Sequence, residues 1–124
     1  MIEPEQVVER RTEIVFPNDA NHHGTLFGGK ALAMMDVVAG ITAARAFRRT
    51  FVTASMDRID FRAPIKVGEF AETTARIARV GRTSVTLEVE LWAENPGNGE
   101  LRLATVGTFV MVAVDENGHP TPLR

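Results

Sequence analysis

The sequence contains no cysteine and only one tryptophan. Without cysteine the chain can form no disulfide, no thiolate nucleophile and no zinc–thiolate site. It also lacks a large excess of one charge, because the formal net charge is −2 over 124 residues. This balance gives no sign of binding to nucleic acid or to a membrane surface. The length suits one compact domain, residues 1–124.

Apolar runs long enough to cross a membrane are also missing. The longest apolar segment, residues 30–47, is too short for a span and is interrupted by Asp36. The N-terminus carries acidic residues and a proline where a signal peptide needs basic residues followed by an apolar run. We therefore expect a cytoplasmic protein. The sequence has no P-loop, dinucleotide-binding glycine motif, G-x-S-x-G elbow or H-E-x-x-H motif, which disfavours the chemistry that each of them supports.

The elements that are present predict one helix and several strands. The segment Lys30–Phe47 is apolar on nearly every face, as in a buried helix. Alternating apolar residues and turn signals predict strands at residues 11–16, 52–61, 70–80, 84–93 and 103–114. Short links between strands exclude crossovers, so we expect an α+β fold with a curved antiparallel sheet around the helix. One small sheet cannot cover every apolar face, and a second subunit should complete the cover.

Asp36 is the first candidate for a chemical role. It lies inside the apolar helix, where a carboxylate is costly to desolvate unless it is paired or used. In the functional interpretation it is a general base, or a nucleophile, at a reacting carbonyl. The alternative is a structural carboxylate neutralised by backbone donors or by an arginine.

Gly28 and Gly29 precede the predicted helix and are the second candidate. Glycines there let a ligand approach the free N–H groups at the positive end of the helix dipole, which can form an oxyanion hole. The alternative is close packing of the helix start. Gly29 lies seven residues before Asp36, about 10.5 Å along a helix, so both groups can hardly act together within one helix. Antiparallel helices from two subunits would bring them together, which predicts a composite site at a dimer interface.

The segment before these glycines offers weaker candidates. His22 and His23 could serve as acid and base or as metal ligands, but adjacent histidines in a turn-like segment more often face solvent. The amide of Asn21 could orient a carbonyl or a water, or it could bond the backbone of its own turn.

Basic residues could contact phosphate groups. Arg82 stands with Thr83 and Ser84 in a tight turn, where backbone and side-chain donors can converge. Each charge alone is most simply a solvated surface residue. The basic set consists of Lys66, Arg79, Arg82 and Arg102.

Several of these motifs resemble the signature of hot-dog-fold acyl-CoA thioesterases. One runs from residue 21 to residue 29 (NHHGTLFGG) and is followed by Met35-Asp36 and Ala39-Gly40. The segment VTASMD at residues 52–57 and the turn GRTSV at residues 81–85 are similar to the strand and the turn that follow in that family. The resemblance covers about residues 11–116. The nearest group is the short bacterial acyl-CoA thioesterases related to the brain and cytosolic acyl-CoA hydrolases of animals.

The resemblance implies a hot-dog fold, in which a long central helix lies in a curved antiparallel sheet. It also implies a homodimer that builds its active sites at the interface, with many members forming trimers of dimers. The family's catalytic acid falls on Asp36, and the amides at its helix start fall on Gly28 and Gly29. The family often has Asn or Asp where this chain has Thr25, which leaves open whether Thr25 or Asn21 positions the water or the carbonyl.

The family's CoA contacts map onto residues 82–84 (Arg82, Thr83, Ser84) and onto the loop near Lys66. The implied function is hydrolysis of an acyl-CoA thioester to a free acid and CoA, without a metal or a cofactor beyond the CoA of the substrate. A Gly28 or Gly29 amide would polarise the carbonyl while Asp36 of the other subunit activates water or attacks directly.

Two other functions stay open. A hydroxyacyl-thioester dehydratase or hydratase would use His22 and Asp36 as acid and base. A non-catalytic acyl-CoA-binding module would need no base at all. Acyl chain length is expected to depend on a tunnel beside Met34 and Met35, and the choice between a dimer and a hexamer is also open.

Overall fold

A computed structural model describes residues 3–124. One long helix, five strands and two short 3-10 turns form in chain order: Pro4–Gln6 (3-10), β1 Val8–Ile14, Pro17–Asp19 (3-10), α1 Gly28–Phe47, β2 Thr50–Phe61, β3 Phe70–Val80, β4 Ser84–Glu94 and β5 Leu101–Val114. The predicted helix and all five predicted strands are therefore present.

The five strands form one sheet in the order β1-β3-β4-β5-β2. Every neighbouring pair is antiparallel, as the short links predicted. Strands β1 and β2 lie at the two edges. The helix packs against one face of the sheet, so the predicted α+β arrangement is confirmed. In the described part of the chain, none of the helices is long and apolar enough to cross a membrane.

Several element boundaries differ from the prediction by one to three residues, and those of α1 and β1 are the most informative. Helix α1 begins at Gly28, two residues earlier than predicted, because the glycines adopt helical geometry. Strand β1 covers Val8–Ile14 and ends before Val15, which was placed inside the strand. Most of β1 is solvent-exposed, so its sequence lacks the alternation of a half-buried strand. Its position is set by pairing with β3.

Helix α1 buries one face against the sheet and leaves another uncovered. The buried face consists of apolar residues and one threonine: Ala31, Met34, Met35, Val38, Ala39, Thr42, Ala43 and Phe47. On the opposite side Val37 is 46% exposed, and Ala33 is exposed as well. One sheet therefore covers only part of this apolar helix. The helix ends at Phe47. Arg48 caps it: its N–H donates to the Ala44 carbonyl, and its left-handed conformation (φ 55°) turns the chain out of the helix.

The core lies between α1 and the central strands. Leu87, Leu91 and Phe109 are fully buried there. The edge strand β2 differs, since most of its residues are exposed, among them Val52 and Phe61. Its pairing with β5 is interrupted twice by irregular register. A long exposed edge with apolar side chains is a surface that natural proteins normally cover.

Candidate active site

Asp36 lies in the middle of α1 and contacts the edge strand β2. The hydroxyl of Thr53 donates a hydrogen bond of 2.6 Å to Asp36 Oδ1. A hydrogen bond to an ionised carboxylate is stronger than a neutral one. The Sδ atom of Met111 lies 3.4 Å from the same hydroxyl oxygen. Asp36 Oδ2 accepts no hydrogen bond from residues 3–124 and is available to a water or a ligand.

The carboxylate faces a groove between α1 and β2, which we call the Asp36 groove. Its volume is about 510 Å³, and Val37, Arg49, Thr53 and Met111 are among its lining residues. Asp36 itself is half-buried. The helix face that carries Asp36 is the one that the sheet leaves partly uncovered. Among the residues that the structure describes, Asp36 forms no ion pair, so no arginine neutralises it.

Gly28 and Gly29 are the first two residues of α1. No side chain in residues 3–124 caps this helix start, so its first N–H groups stay available to a ligand. A Cβ atom on Gly29 would lie 2.8 Å from the Phe27 ring, which gives Gly29 a packing reason. A Cβ atom on Gly28 would lie at an ordinary contact distance of 3.6 Å from the Phe61 ring. Packing therefore explains Gly29 better than Gly28.

A second cavity, which we call the Gly28 cavity, lies beside the helix start. Its volume is about 310 Å³, and Gly28, Ala31, Phe61, Ile65 and Leu91 are among its lining residues. It shares no lining residue with the Asp36 groove in the described part of the chain. Within one protomer the helix-start amides and the Asp36 carboxylate thus face separate spaces.

Asn21 and Thr25 organise the loop that leads into α1. Asn21 Oδ1 accepts hydrogen bonds from the His23 N–H (2.9 Å), the Thr25 N–H (3.2 Å) and the Thr25 hydroxyl (3.2 Å). The side-chain oxygen of Asn21 therefore bonds its own turn, as the structural alternative for this residue predicts. Its Nδ2 donates to no acceptor within residues 3–124 and can still serve a ligand. His22 and His23 are exposed, and their rings lie 3.9 Å apart.

The predicted CoA-contacting residues do not come together in one protomer. Lys66 lies beside the helix start, where its backbone forms an isolated antiparallel bridge with that of Thr25. Arg82 lies beyond the far end of β3, where its carbonyl accepts the Leu123 N–H at 3.0 Å. Strand β3 has 11 residues and separates the two positions by roughly 35 Å at the usual rise of a strand. Thr83 and Ser84 lie with Arg82, so one protomer offers two separate basic positions.

Arg102 pairs with Glu69 within the chain and is therefore not free to bind a phosphate. Its guanidinium hydrogen-bonds both carboxylate oxygens of Glu69, and its Nη2 also donates to the Pro64 carbonyl at 2.8 Å. Glu69 is buried, and its Oε1 also accepts the Lys66 N–H at 2.8 Å. The hydrogen bonds from Arg102 lower the pKa of Glu69 below its usual value, although burial opposes that shift. This ion pair holds the loop that forms one wall of the Gly28 cavity.

Thr53 has no functional assignment from the sequence, although the structure places it against Asp36. It belongs to the segment VTASMD, where a threonine in a strand is unremarkable by its type. The available signal was the need of the helix carboxylate for a donor from a neighbouring element. Only the sheet order shows that β2 is that element. No group of three or more His, Asp or Glu side chains suited to a metal occurs from residue 3 to residue 124.

Comparison with known families places residues 23–100 in the thioesterase superfamily. A relative from Bacillus subtilis, named as the uncharacterized acyl-CoA thioester hydrolase YkhA, is 42% identical over 113 residues. The match covers 91% of this chain and 66% of the relative, so the chain spans just under two thirds of that relative's length.

Solved structures give similar matches. The acyl-CoA hydrolase of Staphylococcus aureus, in complex with butyryl-CoA and CoA, superimposes with a TM-score of 0.89 at 33% identity. The match covers 98% of this chain and 74% of that one. An apo-hexameric acyl-CoA thioesterase superimposes with a TM-score of 0.92 at 40% identity, over 98% of this chain and 78% of that one.

Variants of the Staphylococcus aureus enzyme replace an asparagine, an aspartate and a threonine by alanine. In that enzyme the asparagine precedes the aspartate by 15 residues and the threonine follows it by 17. Asn21, Asp36 and Thr53 of this chain have the same spacing. The spacing therefore groups Thr53, which had no role assigned from the sequence, with Asn21 and Asp36, which were candidates from the start.

Proposed function

We infer that this chain, which belongs to the thioesterase superfamily, is an acyl-CoA thioester hydrolase. The resemblance seen in the sequence is thereby confirmed at the level of the family and of the hot-dog fold. We further propose that catalysis uses the helix-start amides of one protomer and the Asp36 carboxylate of its partner. The observation that carries this proposal is the Thr53–Asp36 hydrogen bond in a groove separate from the Gly28 cavity.

The helix-start amides serve as the oxyanion hole. The N–H groups of Gly28 and Gly29 lie at the positive end of α1. No side chain of residues 3–124 accepts a capping hydrogen bond from this helix start. Donors of this kind stabilise the negative charge that develops on the thioester oxygen during attack. Since Gly28 has no packing reason for lacking a side chain, its amide is the better candidate for close approach of the carbonyl.

Asp36 supplies the second half of the chemistry. Thr53 holds one carboxylate oxygen and leaves Oδ2 to accept a proton from water or to attack the carbonyl itself. In the first route water adds to the carbonyl, its proton passes to Asp36, and the C–S bond breaks to release CoA thiolate. In the second route Asp36 attacks the carbonyl, the C–S bond breaks to release CoA thiolate, and water then hydrolyses the resulting anhydride to the free acid and the Asp36 carboxylate. Both routes need the carboxylate within reach of a carbonyl bound at the helix-start amide.

A homodimer supplies that reach. Helix α1 leaves the apolar side of Val37 uncovered, and β2 presents an exposed edge beside it. A second copy that covers both surfaces removes an exposed edge and buries apolar area. The two helices can then run antiparallel, which sets the Gly28 amide of one chain against Asp36 of the other. We propose that such dimers assemble further to a hexamer, the state described for a structural neighbour.

Further roles complete the proposal. Asn21 Nδ2 is a candidate to orient the carbonyl or the water, while Thr25 supports the Asn21 oxygen. The candidates for contact with the CoA phosphates are Arg82, Thr83 and Ser84 at one position and Lys66 at another. Because these two positions lie far apart within one protomer, one substrate molecule must contact two protomers to reach both. CoA is part of the substrate, and the mechanism uses no other cofactor. A cytoplasmic location stays a prediction.

Release of free thiol from acyl-CoA esters tests the hydrolysis. Wild-type protein should release CoA from at least one ester in a panel from acetyl-CoA to palmitoyl-CoA. Hydrolysis of none of them would refute the function. Formation of an enoyl product from a hydroxyacyl-CoA would replace it with dehydration.

Hybrid dimers test the composite site. Gly28→Pro removes one amide N–H, and proline suits this first helical position because Phe27 before it has ψ 133°. Gly28→Ala keeps the N–H and adds only a Cβ atom, so it measures the cost of added bulk, and activity should fall further in Gly28→Pro than in Gly28→Ala. Gly28→Pro and Asp36→Asn dimers should each be inactive. A purified hybrid of the two chains keeps one intact site and should regain about half of the wild-type turnover per dimer. An inactive hybrid would place both groups in one protomer.

A further inference from the structure

We propose that Leu123 is a positioning residue for CoA binding. It holds the turn at residues 81–84, which we call the Arg82 turn, so that Arg82 meets the phosphates of a CoA whose thioester lies at Asp36 of the same protomer. This inference rests on the proposed hydrolysis of acyl-CoA thioesters and on the candidate role of Arg82 as a phosphate contact. Residues 119–124, which we call the 119–124 segment, pack against that turn.

The register of the sheet brings the Arg82 turn within reach of Asp36. Val85, Met111 and Thr53 stand in one row across β4, β5 and β2. From this row the Thr53 hydroxyl bonds Asp36. Because Arg82 comes shortly before Val85 in sequence, strand spacing and rise place its backbone about 14 Å from that of Thr53. The extended pantetheine arm of CoA spans roughly 15 Å between its sulfur and its diphosphate, so it bridges this distance.

The Asp36 groove leads in the same direction. From Asp36 it follows α1 past Gly40 and Ala44 to Thr50, the first residue of β2. Thr50 pairs with the last residue of β5, and the Arg82 turn lies beside that same end of β5. A CoA arm that leaves Asp36 along the groove therefore arrives at the end of the sheet that carries the turn.

The Arg82 turn presents an unpaired arginine. The Gly81 N–H donates to the Ser84 carbonyl at 2.7 Å, and the Thr83 carbonyl accepts the Ala113 N–H at 2.8 Å. The Arg82 side chain is exposed, and within residues 3–124 it forms no ion pair. Its guanidinium is available to a phosphate, and the backbone of the turn determines where that side chain begins.

Leu123 fixes this backbone from outside the turn. Its N–H donates to the Arg82 carbonyl at 3.0 Å, and its side chain is 3% exposed and belongs to the core. The Thr121 N–H donates to the Ala113 carbonyl at 2.9 Å, which ties the same segment to β5. Burial of the leucine side chain anchors the segment. An anchored turn loses less conformational freedom when it binds a phosphate, so CoA binds more tightly.

Steady-state kinetics with one acyl-CoA ester test this role. Leu123→Ala should raise KM about fivefold or more while kcat stays within about twofold of wild type, because the groups at Asp36 are unchanged. Leu123→Met keeps a side chain of similar volume and should restore the wild-type KM. Leu123→Val should raise KM in the same direction and keeps the test available if the alanine variant fails to fold. Thr121→Ala leaves the backbone hydrogen bond of this residue in place and, as the control, should keep the wild-type KM.

A double variant shows whether Leu123 acts through Arg82. Arg82→Gln removes the charged donor and should raise KM about tenfold or more. If Leu123 only positions Arg82, adding Leu123→Ala to this variant should change KM by less than about twofold. An unchanged KM in either single variant, or effects that add in the double variant, would overturn the inference and leave the hydrolysis standing. Failure of the proposed function has a different signature, which is the absence of thiol release by wild type from any ester.

Hybrid dimers test which protomer binds the phosphates. In a hybrid of an Arg82→Gln chain with an Asp36→Asn chain, the active carboxylate belongs to the chain without the guanidinium. KM should therefore stay raised to the value of the Arg82→Gln dimer. A wild-type KM in this hybrid would place the phosphates on the partner and overturn the inference.

Discussion

The start and the middle of helix α1 are built in different ways. At the start, the backbone does the positioning: the Leu26 N–H donates to the Ile65 carbonyl at 2.7 Å, and the Phe27 N–H donates to the Asp19 carbonyl at 2.9 Å. In the middle, Asp36 depends on a single side-chain hydrogen bond from Thr53 on an edge strand. The start is complete within one chain, whereas the middle faces an uncovered groove.

This difference supports the proposal that the two protomers supply different parts of the site. Amide donors need a rigid backbone, which the loops on both sides of the helix start provide by themselves. The carboxylate needs a partner surface, because its side of α1 is apolar and open. In the proposed mechanism, the site forms only when two chains meet.

Replacing Asp36 should have the largest effect. Asp36→Asn keeps an oxygen for the Thr53 hydroxyl but removes the base, so kcat should fall by about 10³-fold or more. The free energy of unfolding should change by less than about 0.5 kcal/mol. Thiol release and thermal melts measure the two quantities. Near-normal turnover in this variant would move the chemistry away from the middle of the helix.

Thr53 tests how tightly the carboxylate must be held. Thr53→Val removes the hydroxyl with little change of shape and should lower kcat between about 10- and 100-fold, the worth of a hydrogen bond to a charged group. Thr53→Ser keeps the donor and should stay within about threefold of wild type. If the valine and serine variants turn over equally, the hydrogen bond has no part in catalysis and Thr53 only packs.

Variants of Asn21 test the oxygen and the nitrogen of its side-chain amide separately. Asn21→Asp keeps the oxygen that accepts the Thr25 N–H but removes Nδ2, so it should lower kcat about tenfold and leave the melting temperature nearly unchanged. Asn21→Ala should lower both quantities, since the loop also loses its acceptor. Steady-state rates and calorimetry distinguish these results. Full activity of Asn21→Asp would leave Asn21 as a turn residue alone.

Glu69 should have the smallest effect on chemistry and a measurable effect on stability. Glu69→Gln should lower the free energy of unfolding by about 2 kcal/mol at neutral pH, because Arg102 loses its charged partner. Because the pKa of Glu69 is lowered in the folded protein, the ionised carboxylate stabilises the fold fully at pH values above the usual carboxyl pKa of 4.5. This stabilisation is lost as the pH falls through the lowered pKa of the folded state. The difference from wild type should therefore shrink in acid.

Denaturant unfolding between neutral pH and pH values below 4.5 measures this trend. Glu88→Gln is the control, because the Glu88–Arg76 ion pair is exposed on both sides and should contribute less than about 1 kcal/mol. A pH-independent difference for Glu69→Gln would mean that packing, and not the ion pair, holds the loop beside the helix start.

Much of the fold was predictable from periodicity. Strand β4 alternates Val85, Leu87, Val89 and Leu91 toward the core, and the structure buries all four. The exposed edge strand β1 was misplaced by three residues at its start, since solvent on both faces leaves no alternation to detect. In the site, Asp36 and Gly28 were conspicuous because each breaks a local rule. Thr53 breaks none and could not be singled out.

Arg102 shows the opposite case, since its residue type suggested phosphate contact while its surroundings commit it to Glu69 and Pro64. Residue type and spacing carry local chemistry: an apolar helix, a carboxylate within it, and glycines at its start. These properties depend on neighbours along the chain, so the amino-acid order alone determines them. The hydroxyl that meets Asp36, the salt bridge that anchors the loop and the cavity beside Gly28 depend on strand order and register. Those contacts join residues far apart in sequence, and only the packing of the folded chain selects them.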